Sequence, residues 1–372
     1  MGGASHSLLL LASRLHRYGY RPIIAGQQDR EGLWHEADLR GIRYYPLFLT
    51  SWARSDNTIA DLRYLPNRLN SIQRVAGICA RESVTLVHTN LPFCLEGALA
   101  AKLLGLPHVM HVRDEFSPLY RTYWGGTRGA VVGISRMSDR VIAVSRNIKH
   151  SFDKHGVGDR VRVVPNAVEV PPVPAGYDPR TVRQSFRLPP CGPLVGVFGS
   201  VAARKGQIDF VRAMKAILAT RPSAHAIIVG DAVDSYGQEV KKETASLALS
   251  ERVHFIPHQA NVWPLLRAVD IVVVPSRAEG FGRIIVEGMA AGKPVVASAV
   301  GGILDIVQHE ENGLLVPSAR PDELARAVLR LLKDASLARR LGERGAECAR
   351  ERYGPEAHVR RVVAVYDELV SG

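Results

Sequence analysis

The amino-acid sequence predicts an α/β protein with two doubly wound domains, each a parallel sheet covered by helices. The chain has 372 residues, 46% of them hydrophobic, which is enough for two cores of ordinary size. Short runs rich in Val and Ile recur along the chain between helical patterns, and continuous runs of this kind are typical of strands buried on both faces. A proline-rich stretch at 169–190 interrupts the alternation once and predicts the linker between the domains.

The predicted strands are divided evenly between the two halves of the chain. In the first half they span 21–25, 86–88, 108–112, 140–144 and 161–164, and in the second half 194–198, 226–229, 253–256, 270–274 and 294–297. Helical patterns lie between or after them, most clearly at 207–219, 322–332 and 356–369. Because parallel sheets bind ligands at the carboxyl ends of their strands, side chains just after these strands are the candidate site residues.

The beginning of the chain departs from this pattern. A doubly wound domain normally begins with a strand, which a glycine turn connects to the first helix. Here Gly2 and Gly3 come first, followed by a helix with Leu8, Leu11 and Leu15 on one face. We expect that the first strand is missing from the sequence as given, through a misassigned start or a real truncation, and that its loss leaves an aggregation-prone edge.

Charge and cysteine content restrict the class of protein. The formal net charge is +12, and residues 1–170 carry 22 Lys and Arg against 14 Asp and Glu. A basic domain attracts nucleic acid, anionic lipid or phosphorylated ligands, although an arginine-rich composition explains the excess equally well. The four cysteines form no CxxC pair, so we expect neither a zinc site nor a disulfide framework, and a cytoplasmic location. We identify no signal peptide and no apolar run near the ~20 residues of a membrane span.

The strongest functional signal is the segment 277–294, directly after the predicted strand 270–274. Glu279 lies in the turn, Phe281 and Gly282 open the next helix, and Glu287 lies between one and two turns into it. Glycines allow close approach of the backbone to a ligand, and the N–H groups of a helix start point at an anion. Two acidic residues at this spacing suit a ligand with hydroxyl groups at both ends and phosphates between them.

This segment resembles the Glu-x7-Glu signature of glycosyltransferase family 4, which is of the retaining GT-B type. The resemblance extends over nearly the whole chain, through 2–3, 111, 164–166, 204–206, 294–298, 300–302 and 312–316. It implies two Rossmann-like domains facing across a cleft: 1–168 on the acceptor side, the linker 169–190, a nucleotide-sugar domain at 191–353 and a last helix, 354–372, that crosses back. It also implies that Glu287 holds the donor ribose, that Glu279 contacts the donor sugar, and that donor-binding backbone lies at Gly280, Phe281 and Gly282.

A second group of candidates follows the strand 194–198. Fixed cations there would stabilise a diphosphate leaving group as its charge develops. Lys205 matches the phosphate-binding lysine of the family. Ser200, a candidate donor contact, stands where the family usually has an arginine. Either Arg204 supplies the positive charge of that arginine beside Lys205, or this second positive charge is absent.

The third group belongs to the first domain. His111 ends the strand 108–112 and matches a family histidine that contacts the donor sugar near the reacting carbon. Arg113, Asp114 and Glu115 follow it as candidates on the acceptor side. Gly3, in the first turn of the chain, is a candidate for contact with the donor phosphate.

The resemblance implies transfer of a hexose-type sugar, with retention, from a nucleotide-sugar that is a substrate and not a cofactor. The acceptor would be a glycan, a lipid-linked molecule or a small molecule, in a role such as polysaccharide biosynthesis. With no DxD motif and no ligand cluster, we expect no metal and no other cofactor. The alternative is a catalytically inactive GT-B protein that binds a sugar nucleotide or a partner. A dehydrogenase is disfavoured because no G-x-G-x-x-G follows a strand, and the paired glutamates disfavour an epimerase.

The segment 44–69 predicts a membrane contact. It mixes aromatic and aliphatic side chains with arginines, as suits the headgroup region of an anionic membrane surface: Tyr45, Phe48, Trp52, Arg54 and Arg63. We expect salt-sensitive peripheral binding to the inner face of the cell membrane, and no nucleic-acid partner. The alternative is an acceptor loop followed by one buried helix.

Overall fold

A computed structural model describes residues 3–27, 32–49, 65–120 and 122–370 of the chain. The chain forms two compact units. The first comprises Met1–Ala167 together with Pro355–Gly372, and the second comprises Val168–Gly354. Each unit has parallel strands that alternate with helices, as the sequence predicts.

The described strands of the first unit form two parallel sheets. The smaller sheet pairs β1 (Ile24–Gln27) with β2 (Tyr44–Leu47). The larger has the order β3 (Val87–Thr89), β4 (His108–Val112), β5 (Arg140–Ala143) and β6 (Val161–Val163). The helices of this part of the chain are α1 (Gly3–Ala12), α2 (Leu33–Asp38), α3 (Leu65–Arg81), α4 (Glu96–Leu104), α5 (Gly126–Met137) and α6 (Arg146–Asp153).

Helix α1 packs on strands of both sheets. Leu9 belongs to one apolar cluster with Ile24 of β1, and Leu11 belongs to another with Val109 of β4. The second cluster also contains the buried stripe of the last helix, Pro355–Val370: Val359, Val362, Val363 and Tyr366. The end of the chain is therefore part of the core of the first unit.

The second unit is built on one six-stranded parallel sheet. Its strands are β7 (Leu194–Phe198), β8 (His225–Val229), β9 (Val253–Ile256), β10 (Ile271–Val274), β11 (Val295–Ser298) and β12 (Leu314–Val316). Their order in the sheet is β12-β11-β10-β7-β8-β9. The central strands β7 and β10 are adjacent and parallel, so the loops that follow them begin side by side. Both strands are almost completely buried.

The described residues of the second unit form seven α-helices, and an eighth follows them along the chain. They are α7 (Pro179–Ser185), α8 (Gln207–Thr220), α9 (Ser235–Ser246), α10 (Trp263–Ala268), α11 (Arg283–Ala290), α12 (Pro321–Lys333), α13 (Ala335–Arg352) and α14 (Pro355–Val370). Helix α7 falls within the predicted linker and packs on α10, where Arg183 donates to the carbonyl of Ala268 at 2.7 Å. Among the described residues, no helix is long and apolar enough to cross a membrane.

Candidate functional site

The loops after β7 and β10 are joined by backbone hydrogen bonds. The N–H of Arg277 donates to the carbonyl oxygen of Arg204 at 2.7 Å. Gly206, on the loop after β7, has a φ of +69°. A Cβ at this position would lie 2.0 Å from the carbonyl oxygen of Pro275, on the loop after β10. A side chain is therefore excluded by both conformation and space. The close approach brings Lys205 on the first loop to Glu279 on the second.

Lys205 and Glu279 form a buried ion pair at this junction. The Nζ atom of Lys205 lies 2.5 Å from Oε2 of Glu279, and only 16% and 8% of the two side chains are exposed. The hydroxyl of Ser276 donates to the same oxygen at 3.2 Å. Burial alone would raise the pKa of Glu279, but the ammonium of Lys205, the guanidinium of Arg204 and the hydroxyl of Ser276 together outweigh burial, and the pKa is lowered. Glu279 is therefore a fixed carboxylate at neutral pH.

The turn from Glu279 into α11 is buried and closely packed. Phe281 is buried and its ring packs edge-on against Tyr353, with centroids 5.8 Å apart. Gly282 caps α11 with a φ of +93°. The N–H of Gly302 donates to the carbonyl of Glu279 at 2.8 Å, and a Cβ on Gly302 would lie 2.2 Å from the carbonyl oxygen of Gly280. These contacts hold the turn in one conformation.

Glu287 lies on the second turn of α11, as its spacing from Glu279 predicts. Its side chain accepts a hydrogen bond from Nε of Arg283, one turn earlier, at 2.7 Å. Burial raises the pKa of Glu287, and the guanidinium of Arg283 opposes that rise only in part. A buried carboxylate of this kind gains from further hydrogen-bond donors.

One polar contact at this site is missed by the sequence analysis. Asp209, in the first turn of α8, accepts two hydrogen bonds from Arg277, each of 2.9 Å. This bidentate pair ties α8 to the loop that carries Glu279. Nearby, Gln207 donates to the carbonyl of Ser200 at 3.0 Å, and Ser200 itself is exposed. An acid in the first helical turn after the Lys205 motif is the signal that could have indicated the contact.

The candidates of the first unit lie at the carboxyl end of β4. The His111 ring is completely buried, and its Nδ1 atom lies 3.2 Å from Nε2 of His88 and 3.2 Å from a guanidinium nitrogen of Arg113. Burial lowers the pKa of His111 well below its ordinary value, and Arg113 lowers it further. His111 is therefore neutral at physiological pH.

Arg113, predicted on the acceptor side, is 94% buried inside the first unit. Its guanidinium donates to Oδ1 of Asn90 at 2.8 and 2.9 Å and also to Oδ1 of Asn166. Asp114 and Glu115 follow it and are partly exposed. The structure thus brings Arg113 to His111, while the two acids continue into the loop.

The remaining candidates are placed as follows. Gly3 is exposed at the beginning of α1, whereas Gly2 lies outside the described residues. Most of the predicted membrane segment, residues 50–64, also lies outside them. In the part of the chain that the structure describes, no group of three or more His, Cys, Asp or Glu residues could hold a metal ion.

Comparison with known proteins identifies the family to which this chain is similar. The model of glycosyl transferases group 1 matches residues 179–347, and that of glycosyltransferase family 4 matches residues 1–170. A D-inositol 3-phosphate glycosyltransferase of Xylanimonas cellulosilytica is 31% identical over 290 residues, covering 73% of this chain and 68% of the relative. A lipopolysaccharide core biosynthesis mannosyltransferase of Rhizobium meliloti, LpsB, is 29% identical over 240 residues, 63% of this chain and 67% of the relative.

A solved structure agrees with the fold along almost the whole chain. The Anabaena protein HepE, crystallised with UDP and glucose, is 25% identical and aligns with a TM-score of 0.84 over 99% of this chain and 96% of its own. The predicted GT-B class with two Rossmann-like units is confirmed. The motifs, the fold and the relatives agree that this chain belongs to glycosyltransferase family 4.

Proposed function

We propose that the protein transfers a hexose from a nucleoside-diphosphate sugar to a glycan or lipid-linked acceptor, with retention of anomeric configuration and without a divalent cation. The observation that carries this proposal is the buried ion pair between Lys205 and Glu279. It fixes one cation and one carboxylate where the loops after β7 and β10 meet. Parallel sheets of this kind bind nucleotides at that end of their strands.

Lys205 supplies the charge on which the reaction depends. As the glycosidic bond breaks, negative charge accumulates on the diphosphate, and a cation already held in place stabilises that charge without reorganisation. Glu279 holds the ammonium through the 2.5 Å contact, so Lys205 is positioned before the donor arrives. Arg204, adjacent to Lys205, lowers the pKa of Glu279 and adds positive charge at the same place.

Glu287 gives the site its selectivity for a nucleotide. Its buried carboxylate accepts a hydrogen bond from Arg283, and two vicinal ribose hydroxyls would add two more. UDP-glucose and GDP-mannose are the first donors to test, because HepE was crystallised with UDP and glucose and LpsB is a mannosyltransferase. Contact with an anionic membrane surface remains part of this proposal as the source of a lipid-linked acceptor.

A two-step experiment tests the proposal. Thermal shift with UDP-, GDP-, ADP- and TDP-sugars identifies the donor, because a ligand of the folded state raises Tm. Release of nucleoside diphosphate is then measured with an acceptor extract, with and without EDTA. We expect release that persists in EDTA and is lost in Lys205→Met. A surface variant of the same unit, Glu310→Gln, is the matched control, since the exposed side chain of Glu310 lies beside the exposed side chains of Arg330 and His309. Donor binding without release in the parent protein would support the inactive alternative, which Ser200 in place of the usual arginine favours.

A further inference from the structure

A line of buried and half-buried polar groups in the first unit connects the C-terminal helix to His111. The hydroxyl of Tyr366 on α14 lies 2.7 Å from Nδ1 of His88. The other ring nitrogen of His88, Nε2, lies 3.2 Å from Nδ1 of His111. Nη2 of Arg113 lies 3.2 Å from that same Nδ1 atom. All four residues belong to the first unit.

The direction of these hydrogen bonds follows from the chemistry of arginine. A guanidinium has donors and no acceptor, so Nδ1 of His111 must accept from Arg113. Burial and the nearby guanidinium lower the pKa of His111 well below its ordinary value, so the ring is neutral and carries one proton. That proton is therefore on Nε2.

The same reasoning places the proton of the neutral His88 ring on Nε2. Burial, with Arg113 as the next cause, lowers the pKa of His88 to about 3, so this ring is also neutral. Its Nε2 faces a lone pair on Nδ1 of His111 and must donate to it, because two facing lone pairs repel. Nδ1 of His88 then accepts from the hydroxyl of Tyr366, which stays protonated because burial raises the pKa of Tyr366.

We propose that Arg113, His88 and Tyr366 are positioning residues that hold His111 as the neutral Nε2–H tautomer. Nε2 of His111 is buried and has no hydrogen-bond partner among the described residues. The group that meets it must accept a hydrogen bond, as a sugar hydroxyl oxygen does, and His111 does not act as a base there. Contact with the donor sugar rests on the proposed function, whereas the tautomer does not.

His358 provides an internal reference for this assignment. Its Nδ1 lies 2.7 Å from the carbonyl oxygen of Pro165, which only accepts, so the proton of the neutral His358 ring is on Nδ1. The rings of His111 and His358 are neighbours, with centroids 6.3 Å apart, and both are buried. Two neighbouring histidines in the same unit are thus expected to be opposite tautomers.

Long-range ¹H–¹⁵N NMR of the full chain labelled with ¹⁵N-histidine tests the proposal at pH 7.5 without substrate. His88 and His111 should each show a protonated Nε2 and an unprotonated Nδ1, and His358 should show the reverse. Signals are assigned from His88→Gln, His111→Gln and His358→Asn. A protonated Nδ1 on His111, or an imidazolium, would overturn the proposal. Because this spectrum needs no turnover, its outcome is separate from that of the glycosyl-transfer assay.

Two hydroxyl deletions test the connection to the C-terminal helix. Tyr366→Phe should shift the Nδ1 resonance of His88, which loses its donor, and leave His111 as Nε2–H because Arg113 still donates to it. Tyr20→Phe is the matched control. The Tyr20 ring packs on Tyr366 with centroids 5.3 Å apart, but its hydroxyl donates to Asp367 and not to a histidine. Adding Arg113→Met to Tyr366→Phe should release His111 into a mixture of tautomers, and Arg113→Lys should not. An unchanged His88 spectrum in Tyr366→Phe contradicts the proposal even if the double variant fails to fold.

Discussion

Acidification should weaken the first unit more than the second, because several histidines packed in its interior are neutral when folded. Burial is the main cause that lowers the pKa of His88 to about 3 and those of His108 and His358 to about 4. An unfolded histidine titrates near 6.5, so the unfolded chain binds more protons and stability falls as the pH drops below about 6.5. At pH 5 each of these three residues costs about 2 kcal/mol relative to pH 8, or about 6 kcal/mol together.

That loss is comparable to the whole stability of an ordinary domain, about 5–15 kcal/mol. Urea unfolding followed by tryptophan fluorescence measures it in the variant Trp263→Phe. Its remaining tryptophans, at positions 34, 52 and 124, all lie in the sequence of the first unit. The second unit should lose less, because it contains two such histidines against at least three in the first: burial lowers the pKa of His225 to about 4 and also lowers that of His254.

The variant His358→Asn isolates one of these contributions. The asparagine amide can still donate to the carbonyl of Pro165 but does not titrate, so the difference in unfolding free energy between pH 8 and pH 5 should shrink by about 2 kcal/mol. This comparison does not depend on what the substitution costs at pH 8. A total pH effect below about 2 kcal/mol, or the same pH effect in His358→Asn as in the parent, would refute the reasoning.

Three further predictions concern the second unit. Glu287→Gln should weaken donor binding about 10- to 100-fold in calorimetry, because charge-assisted hydrogen bonds to the ribose are worth about 1.5–3 kcal/mol; unchanged affinity would exclude Glu287 from the donor site. Lys205→Met should lower kcat about 100- to 1,000-fold with a smaller change in donor Kd. If donor affinity fell by the same factor as kcat, Lys205 would stabilise the bound donor as much as the transition state, which contradicts the proposed role. Gly206→Ala should lower the free energy of unfolding by more than about 2 kcal/mol, because it combines a left-handed backbone with a Cβ 2.0 Å from the Pro275 oxygen; a Tm equal to that of the parent would contradict this packing.

The strands predicted from continuous apolar runs are present, and the two that were missed have reasons in their sequence. Strand β2 is Tyr-Tyr-Pro-Leu, and Pro46 argues against a strand because it cannot donate to a sheet. Strand β12 has only three residues, directly after Gly313, which is too short for periodicity to detect. Both are held by their pairing with β1 and β11, which no local pattern reveals.

The same limit applies to the site. The spacing of Glu279 and Glu287 and the motif at Lys205 could be identified along the chain because each is a local pattern. The ion pair between Lys205 and Glu279 joins residues 74 positions apart, and the contact of His88 with Tyr366 joins residues 278 positions apart. Such contacts depend on the packing of whole elements. The sequence therefore identified Lys205 and Glu279, which the structure brings together, but not that Arg113 is buried against His111.

The most direct test of the account is to follow the transfer reaction by ¹H NMR in the presence of EDTA, using the donor identified by thermal shift and an acceptor that supports release. The anomeric proton of the first-formed product should have the same configuration as that of the nucleotide-sugar, and the signal should be absent in Lys205→Met. An inverted anomeric configuration, complete loss of transfer in EDTA, or transfer that persists unchanged in Lys205→Met would contradict the proposed mechanism.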